Sequence, residues 1–147
     1  MEGKRKAATR FLTLGLVASM ASSLAVTQSP RLLILGGTGF IGSTIAKMAV
    51  KSGFQVTSLS RRGAPSPDTD PESYPANGVE WLQGDATDPA VVSDVIKNGP
   101  YVGVVHAVGM LFAGKLNRFA SGSGSIPNPG CDYDQITRQT AFAAATA

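Results

Sequence analysis

Cysteine and histidine are almost missing: Cys131 and His106 stand alone in 147 residues. A single cysteine excludes an intrachain disulfide and any cysteine-rich metal cluster, and a single histidine argues against a histidine-based zinc site. Acidic residues are missing too over a long stretch, with none between Glu2 and Asp68. Nor is there an apolar run long enough to cross a ~30 Å hydrocarbon core comfortably, because the longest, Phe11–Val26, has 16 residues and is diluted by Ser and Thr. With 43% hydrophobic and 16% charged residues, the composition is that of one soluble α/β-type domain, without room for a second full one.

The formal charge of +3 comes from one end. Lys4, Arg5, Lys6 and Arg10 against Glu2 account for all of it, and the remaining chain is formally neutral. A basic balance confined to a leader is no argument for nucleic-acid binding. That leader, residues 1–29, joins a basic start to an apolar Ser/Ala-rich stretch with small residues at Ser23-Leu24-Ala25. It reads as a targeting segment removed in maturation. A mitochondrial address comes first, with chloroplast or secretory pathway as alternatives, and a weak anchor or an uncleaved tail as the other readings.

From residue 30 the pattern becomes regular. Arg31–Leu35 is a continuous apolar run, as in a strand buried on both faces of a parallel sheet. Gly36-Gly37-Thr38-Gly39-Phe40-Ile41-Gly42 follows directly. A helix is expected next, with Ile41, Ile45, Met48 and Ala49 on its apolar side, Lys47 and Lys51 opposite, and Gly53 as a left-handed stop. Gln55–Ser60 reads as a second strand, Val79–Gln83 as a third and Tyr101–Val108 as a fourth. Between the last two, Asp88 as N-cap and Pro89 at N1 open a helix that buries Val91, Val92, Val95 and Ile96 and stops at Asn98-Gly99.

Strand, glycine turn, helix and second strand in this order favour a dinucleotide. Gly36 permits the tight turn, Gly39 lets the backbone approach a diphosphate, and Gly42 allows close helix packing. The helix start offers free N–H groups and positive dipole to phosphate. The bland alternative is a glycine-rich turn of purely structural purpose.

These residues, with Ser60-Arg61-Arg62, Gly84-Asp85-Ala86-Thr87-Asp88 and Val104-Val105-His106-Ala107, resemble the short-chain dehydrogenase/reductase superfamily, in its extended and atypical, epimerase-like branches. The resemblance covers residues 31–109 in register and implies a Rossmann-type doubly wound parallel sheet with strand order 3-2-1-4. It implies that Gly36, Thr38, Gly39, Phe40, Ile41 and Gly42 hold the diphosphate, and that Asp85 and the Ala86 backbone meet the adenine. It further implies that Ala107, Val108 and Gly109 line the ribose and nicotinamide side. Asp85 also fits a simple turn role. Where an NAD site usually has a carboxylate at the end of the second strand, this chain has Ser60, Arg61 and Arg62. Guanidinium groups pair with a 2′-phosphate, so NADP(H) is favoured over NAD(H). One or both arginines can instead simply solvate the loop.

Residues 64–75 form a proline-rich loop, and residues 113–131 a Gly/Ser-rich insertion beside the expected substrate mouth. Asp132 and Gln135 make a capping-box-like helix start, continued through Ile136 and Thr140. His106 titrates near neutrality but has no partner visible in the sequence, and reads as a packing residue. Cys131 has no adjacent His or Lys to activate it.

The catalytic pair Tyr-x-x-x-Lys of the superfamily is not found: Gly78, Val105 and Thr137 stand four residues after Tyr74, Tyr101 and Tyr133. Catalytic residues are therefore unknown. The last helix runs to Ala147 without a stop signal, so the chain is expected to be C-terminally incomplete, with later strands missing and the fourth strand at an open edge. Two functions remain open. One is an NADP(H)-dependent oxidoreductase or epimerase-like enzyme acting on an unknown small molecule or quinone. The other is a non-catalytic nucleotide-binding accessory protein of an organellar complex, since the leader and the Tyr133–Ala141 helix resemble the complex I accessory and coenzyme Q biosynthesis types.

Overall fold

Arg31–Leu35 forms strand β1 in the computed structural model, which describes residues 28–66, 68, 71–75, 77–110 and 130–147. Residues 1–27, most of the expected leader, and residues 111–129, which hold most of the expected 113–131 insertion, lie outside the described residues. After β1 come helix α1 (Phe40–Lys51), β2 (Gln55–Ser60), a single 3₁₀ turn (Pro71–Ser73), β3 (Val79–Gln83), α2 (Pro89–Lys97) and β4 (Tyr101–His106). The last element begins as a π-helical turn, Asp134–Gln139, and continues as α3, Thr140–Thr146.

All strand pairs are parallel and the order is β3-β2-β1-β4. Both faces of the centre are covered, which is why β1 reads as an unbroken apolar run. Leu33, Ile34 and Leu35 are all fully buried, a contribution of about 1.5–3 kcal/mol each. Ile34 and Val56 pack with Ala46 and Ala49 of α1. Leu33, Leu35 and Leu59 pack on the other face with Val92 of α2, and Ala144 of α3 closes on them. At the lower end of the sheet, Glu80 Oε2 accepts from Arg31 Nη1 (2.9 Å) and Thr57 Oγ1 (3.1 Å), tying three strands together.

The first three strands fall where the sequence puts them, and Asp88 caps α2 by accepting from the Ala90 amide at 2.9 Å. Gly53, at φ +87°, follows α1 in the left-handed conformation. Two expectations need correction. The buried face of α1 is Gly42, Ser43, Ala46 and Ala49, while Ile41 and Met48 are 64% and 65% exposed. Small residues let the helix axis come close to the sheet and to the glycine turn; the larger apolar side chains would hold it away. Strand β4 ends at His106 rather than Val108. Its pairing partner β1 stops at Leu35, and beyond Gly36 there is no strand left to pair with. Among the described residues β4 is the last strand on its side of the sheet, and Val102 is 66% and Val104 38% accessible.

The closing helix starts as the sequence indicates, with a reciprocal box. The Gln135 amide donates to Asp132 Oδ1 at 2.8 Å, and the Asp132 amide donates to Gln135 Oε1 at 3.2 Å. Its first turn is wider than an α-helix, which nothing in the residue pattern announces.

Candidate dinucleotide site

The four strands end at one edge. Leu35 of β1 pairs with Leu59 and with His106, and Ser60 pairs with Gln83. Each end is followed by one of the segments singled out in the sequence: residues 36–42, residues 61 and 62, residues 85 and 86, and residues 107–109. The topology thus brings all of them to the carboxyl ends of the strands, where open parallel sheets carry their ligands.

The glycine turn is held between β2 and β4. The Gly36 amide donates to Leu59 O at 2.8 Å, and Ala107 N donates to Leu35 O at 2.9 Å. Gly36 has φ +87°, and a Cβ on it would stand 2.9 Å from Ala107 O and 3.1 Å from Val108 Cγ2. Both reasons, the left-handed backbone and the close neighbour, require glycine here. Gly42 is required by contact alone: its Cβ would lie 2.2 Å from Gly36 O. Gly42 therefore packs the helix onto the turn itself, not merely onto the strand.

Gly39 occupies the N-cap of α1, and no side chain caps the helix. The amides of the first turn have no intrahelical acceptor, and no acidic side chain stands in that turn to offset the dipole. The Phe40 and Ile41 side chains are exposed, at 75% and 64%, so among the described residues none covers the helix start on that side. A Cβ on Gly109 would meet nothing within 4 Å. This combination, a glycine cradle opening onto an uncapped helix start, fits a diphosphate.

At the end of β2, Arg61 and Arg62 are exposed. Ser60 is buried; its hydroxyl donates to Gly63 O at 3.0 Å. Its carbonyl accepts from the Gly63 and Gly84 amides, both at 3.0 Å, joining the ends of β2 and β3. The Gln83 side-chain amide donates to Arg61 O at 3.2 Å, which steadies the arginine backbone. At the end of β3, Asp85 Oδ1 accepts from the Thr87 amide (2.9 Å) and hydroxyl (2.8 Å). This is a side-chain-to-backbone turn, and it leads into the Asp88 cap. Ala86 is buried.

The sequence left His106 without a partner, and the structure supplies one. His106 Nε2 lies 2.5 Å from Thr140 Oγ1, across the junction of β4 with α3. Burial holds the imidazole below its usual pKa, partly offset by a hydrogen bond to its own backbone. Tyr74 was not singled out either. Its hydroxyl donates to Thr38 O at 2.8 Å, and its ring meets Trp81 edge-on, with centroids 5.8 Å apart. An aromatic residue in a proline-rich loop was the available signal, but its partner depends on how that loop folds back.

The sequence model of the NAD dependent epimerase/dehydratase family matches residues 32–121. Over 83 residues, 56% of this chain and 29% of the relative, the chain is 36% identical to MIOREX complex component 2 of Saccharomyces cerevisiae. Over 62 residues, 42% of this chain and 20% of the relative, it is 40% identical to an uncharacterized chloroplastic protein of Arabidopsis thaliana. The chain therefore spans less than a third of the length of these curated relatives. Among solved structures, the UDP-glucose 4-epimerase of Bifidobacterium longum in complex with NAD+ and UDP superposes with a TM-score of 0.56 at 19% identity, over 79% of this chain and 32% of that one. That likeness concerns the fold.

Proposed function

Because the chain belongs to the NAD dependent epimerase/dehydratase family, we propose that it holds a nicotinamide dinucleotide across the ends of its four strands. The observation that carries this reading is the glycine turn, where Gly42 is packed against Gly36 O and α1 starts without a cap. In this reading the backbone of Gly36, Thr38, Gly39, Phe40, Ile41 and Gly42 surrounds the diphosphate. Asp85 and Ala86 bound the adenine, and Ala107, Val108 and Gly109 bound the nicotinamide ribose. The cofactor's own contribution is a nicotinamide ring that accepts or returns a hydride.

Ser60, Arg61 and Arg62 face the adenosine ribose, where two guanidinium groups and no carboxylate favour a 2′-phosphate and hence NADP(H). The full-length activity proposed is that of an oxidoreductase or epimerase-like enzyme of the extended short-chain type. A second reading, a component of an organellar assembly without turnover, is favoured by the name of the yeast relative, a complex component. An organellar address is supported by the basic leader and by the chloroplastic relative; import of the full chain into isolated mitochondria and chloroplasts would separate the two destinations.

The test is calorimetric titration of the full chain with NADPH and NADH. Tighter binding of NADPH is expected. Equal affinities would remove the arginine argument, and no heat with either nucleotide would remove the reading itself.

A further inference from the structure

The glycine turn is restrained from the outside by a residue of the loop that follows the two arginines. The peptide between Thr38 and Gly39 is gripped at both ends: the Gly39 amide donates to Gly36 O at 3.0 Å, and Thr38 O accepts from the Tyr74 hydroxyl at 2.8 Å. The Tyr74 ring is itself fixed by the edge-on contact with Trp81 on β3. One residue pair away, Lys47 Nζ of α1 donates to Glu72 O at 3.1 Å, so the same loop is anchored to the helix as well. Beneath the turn there is no room for a side chain to do this work, because a Cβ on Gly37 would lie 2.2 Å from the buried Ser58 Oγ.

We propose that Tyr74 is a positioning residue of the diphosphate turn, acting through the Thr38 carbonyl; this rests on the dinucleotide reading above. A turn with glycine at 36, 37 and 39 has more backbone freedom to lose than any other segment of its length. Fixing one peptide plane in advance lowers the ordering cost that a ligand must otherwise meet. The plane fixed carries the Gly39 amide and leads into the N-cap of α1, one peptide before the Phe40 amide. The same strap begins directly after Arg61 and Arg62, which connects the ribose end of the site to the diphosphate end through covalent chain.

Tyr74→Phe keeps the ring against Trp81 and removes only the hydroxyl. The full chain and this variant are titrated with ADP, which carries a diphosphate, and with 2′-AMP, whose phosphate is at the ribose end only. Binding is followed by calorimetry and by the emission of Trp81, the only tryptophan. The expected result is about three- to tenfold weaker ADP binding in the variant, the scale of one lost hydrogen bond, with 2′-AMP binding unchanged. Unchanged ADP binding in the variant, with binding intact in the parent, overturns the role of Tyr74 alone. An equal loss for both ligands also overturns it, since that marks general loosening. A parent chain that binds neither ligand overturns the dinucleotide reading and this inference with it.

Discussion

His106 Nε2 and Thr140 Oγ1 share a hydrogen bond. Thr140 Oγ1 also lies 2.6 Å from Ile136 O and 3.3 Å from Thr137 O. Thr140 is only 2% exposed, so this bond joins β4 to α3 away from water. Thr140→Val conserves the shape, removes the hydroxyl and leaves the half-buried His106 Nε2 without its partner. A loss of about 1–3 kcal/mol is expected, read as a lower urea midpoint with an unchanged slope. An unchanged midpoint would mean that solvent reaches the imidazole.

Burial of the same imidazole makes stability depend on pH. Burial lowers the folded-state pKa of His106 below the ordinary value of 6.5. The unfolded chain therefore takes up the proton first on acidification, and the histidine's contribution is complete above pH 6.5 and lost as pH falls through the lower folded value. Asp134 moves in the same sense, since the hydrogen bond from Arg138 lowers its pKa, but it is an exposed carboxylate and acts at lower pH. Urea midpoints measured from pH 7.5 to 5 are expected to fall, and His106→Gln to flatten the upper part of that fall. A decline of undiminished size in the variant would assign it to other groups.

Two glycines separate contact from conformation. Gly42→Ala puts a methyl 2.2 Å from Gly36 O, and backbone cannot yield as a flexible side chain would. An overpacking cost of about 1–3 kcal/mol is expected, together with loss of nucleotide binding as α1 moves off the turn. Gly53→Ala meets nothing within 4 Å but must hold φ +87°, which costs about 1–2 kcal/mol. It lies at the other end of α1, so nucleotide binding should survive once stability is allowed for. If both variants lose binding equally, the turn is not the seat of the effect.

The sheet was legible because its residues carry two agreeing signals. β1 and β2 combine buried apolar positions, and β3 partly buried ones, with glycine or proline near their borders, and α2 adds the Asp88-Pro89 start to the Asn98 end. The burial of α1 was only half legible, since Ile45 and Ala49 face the core as expected and Ile41 and Met48 do not. Phe40, Ile41 and Met48 lie outward, while Ile45 and Val50 reach the core beside Gly42, Ala46 and Ala49, which set the closest approach. Hydrophobicity ranks side chains by size, whereas a helix over a parallel sheet selects for smallness. For the site, the turn and the strand ends were legible from order along the chain. Tyr74 and Thr140 were not, because their bonds to Thr38 and His106 span 36 and 34 residues and depend on loop paths without periodicity.

The arginines allow a charge-reversal experiment. Arg61 and Arg62 follow β2 and are exposed, and the nearest acid earlier in the chain is Glu2. A carboxylate here would repel a 2′-phosphate and accept from a 2′-hydroxyl. Arg61→Glu is expected to weaken NADPH binding tenfold or more, the scale of a charged hydrogen bond at about 1.5–3 kcal/mol, while NADH binding holds or improves. Arg62→Glu, tested beside it, identifies which guanidinium reaches the phosphate. The exposed arginine that merely solvates the loop should leave the NADPH to NADH ratio unmoved at high salt, where long-range attraction is screened. If neither substitution changes that ratio, the end of β2 does not read the ribose, and cofactor choice must be set at the ends of the other strands.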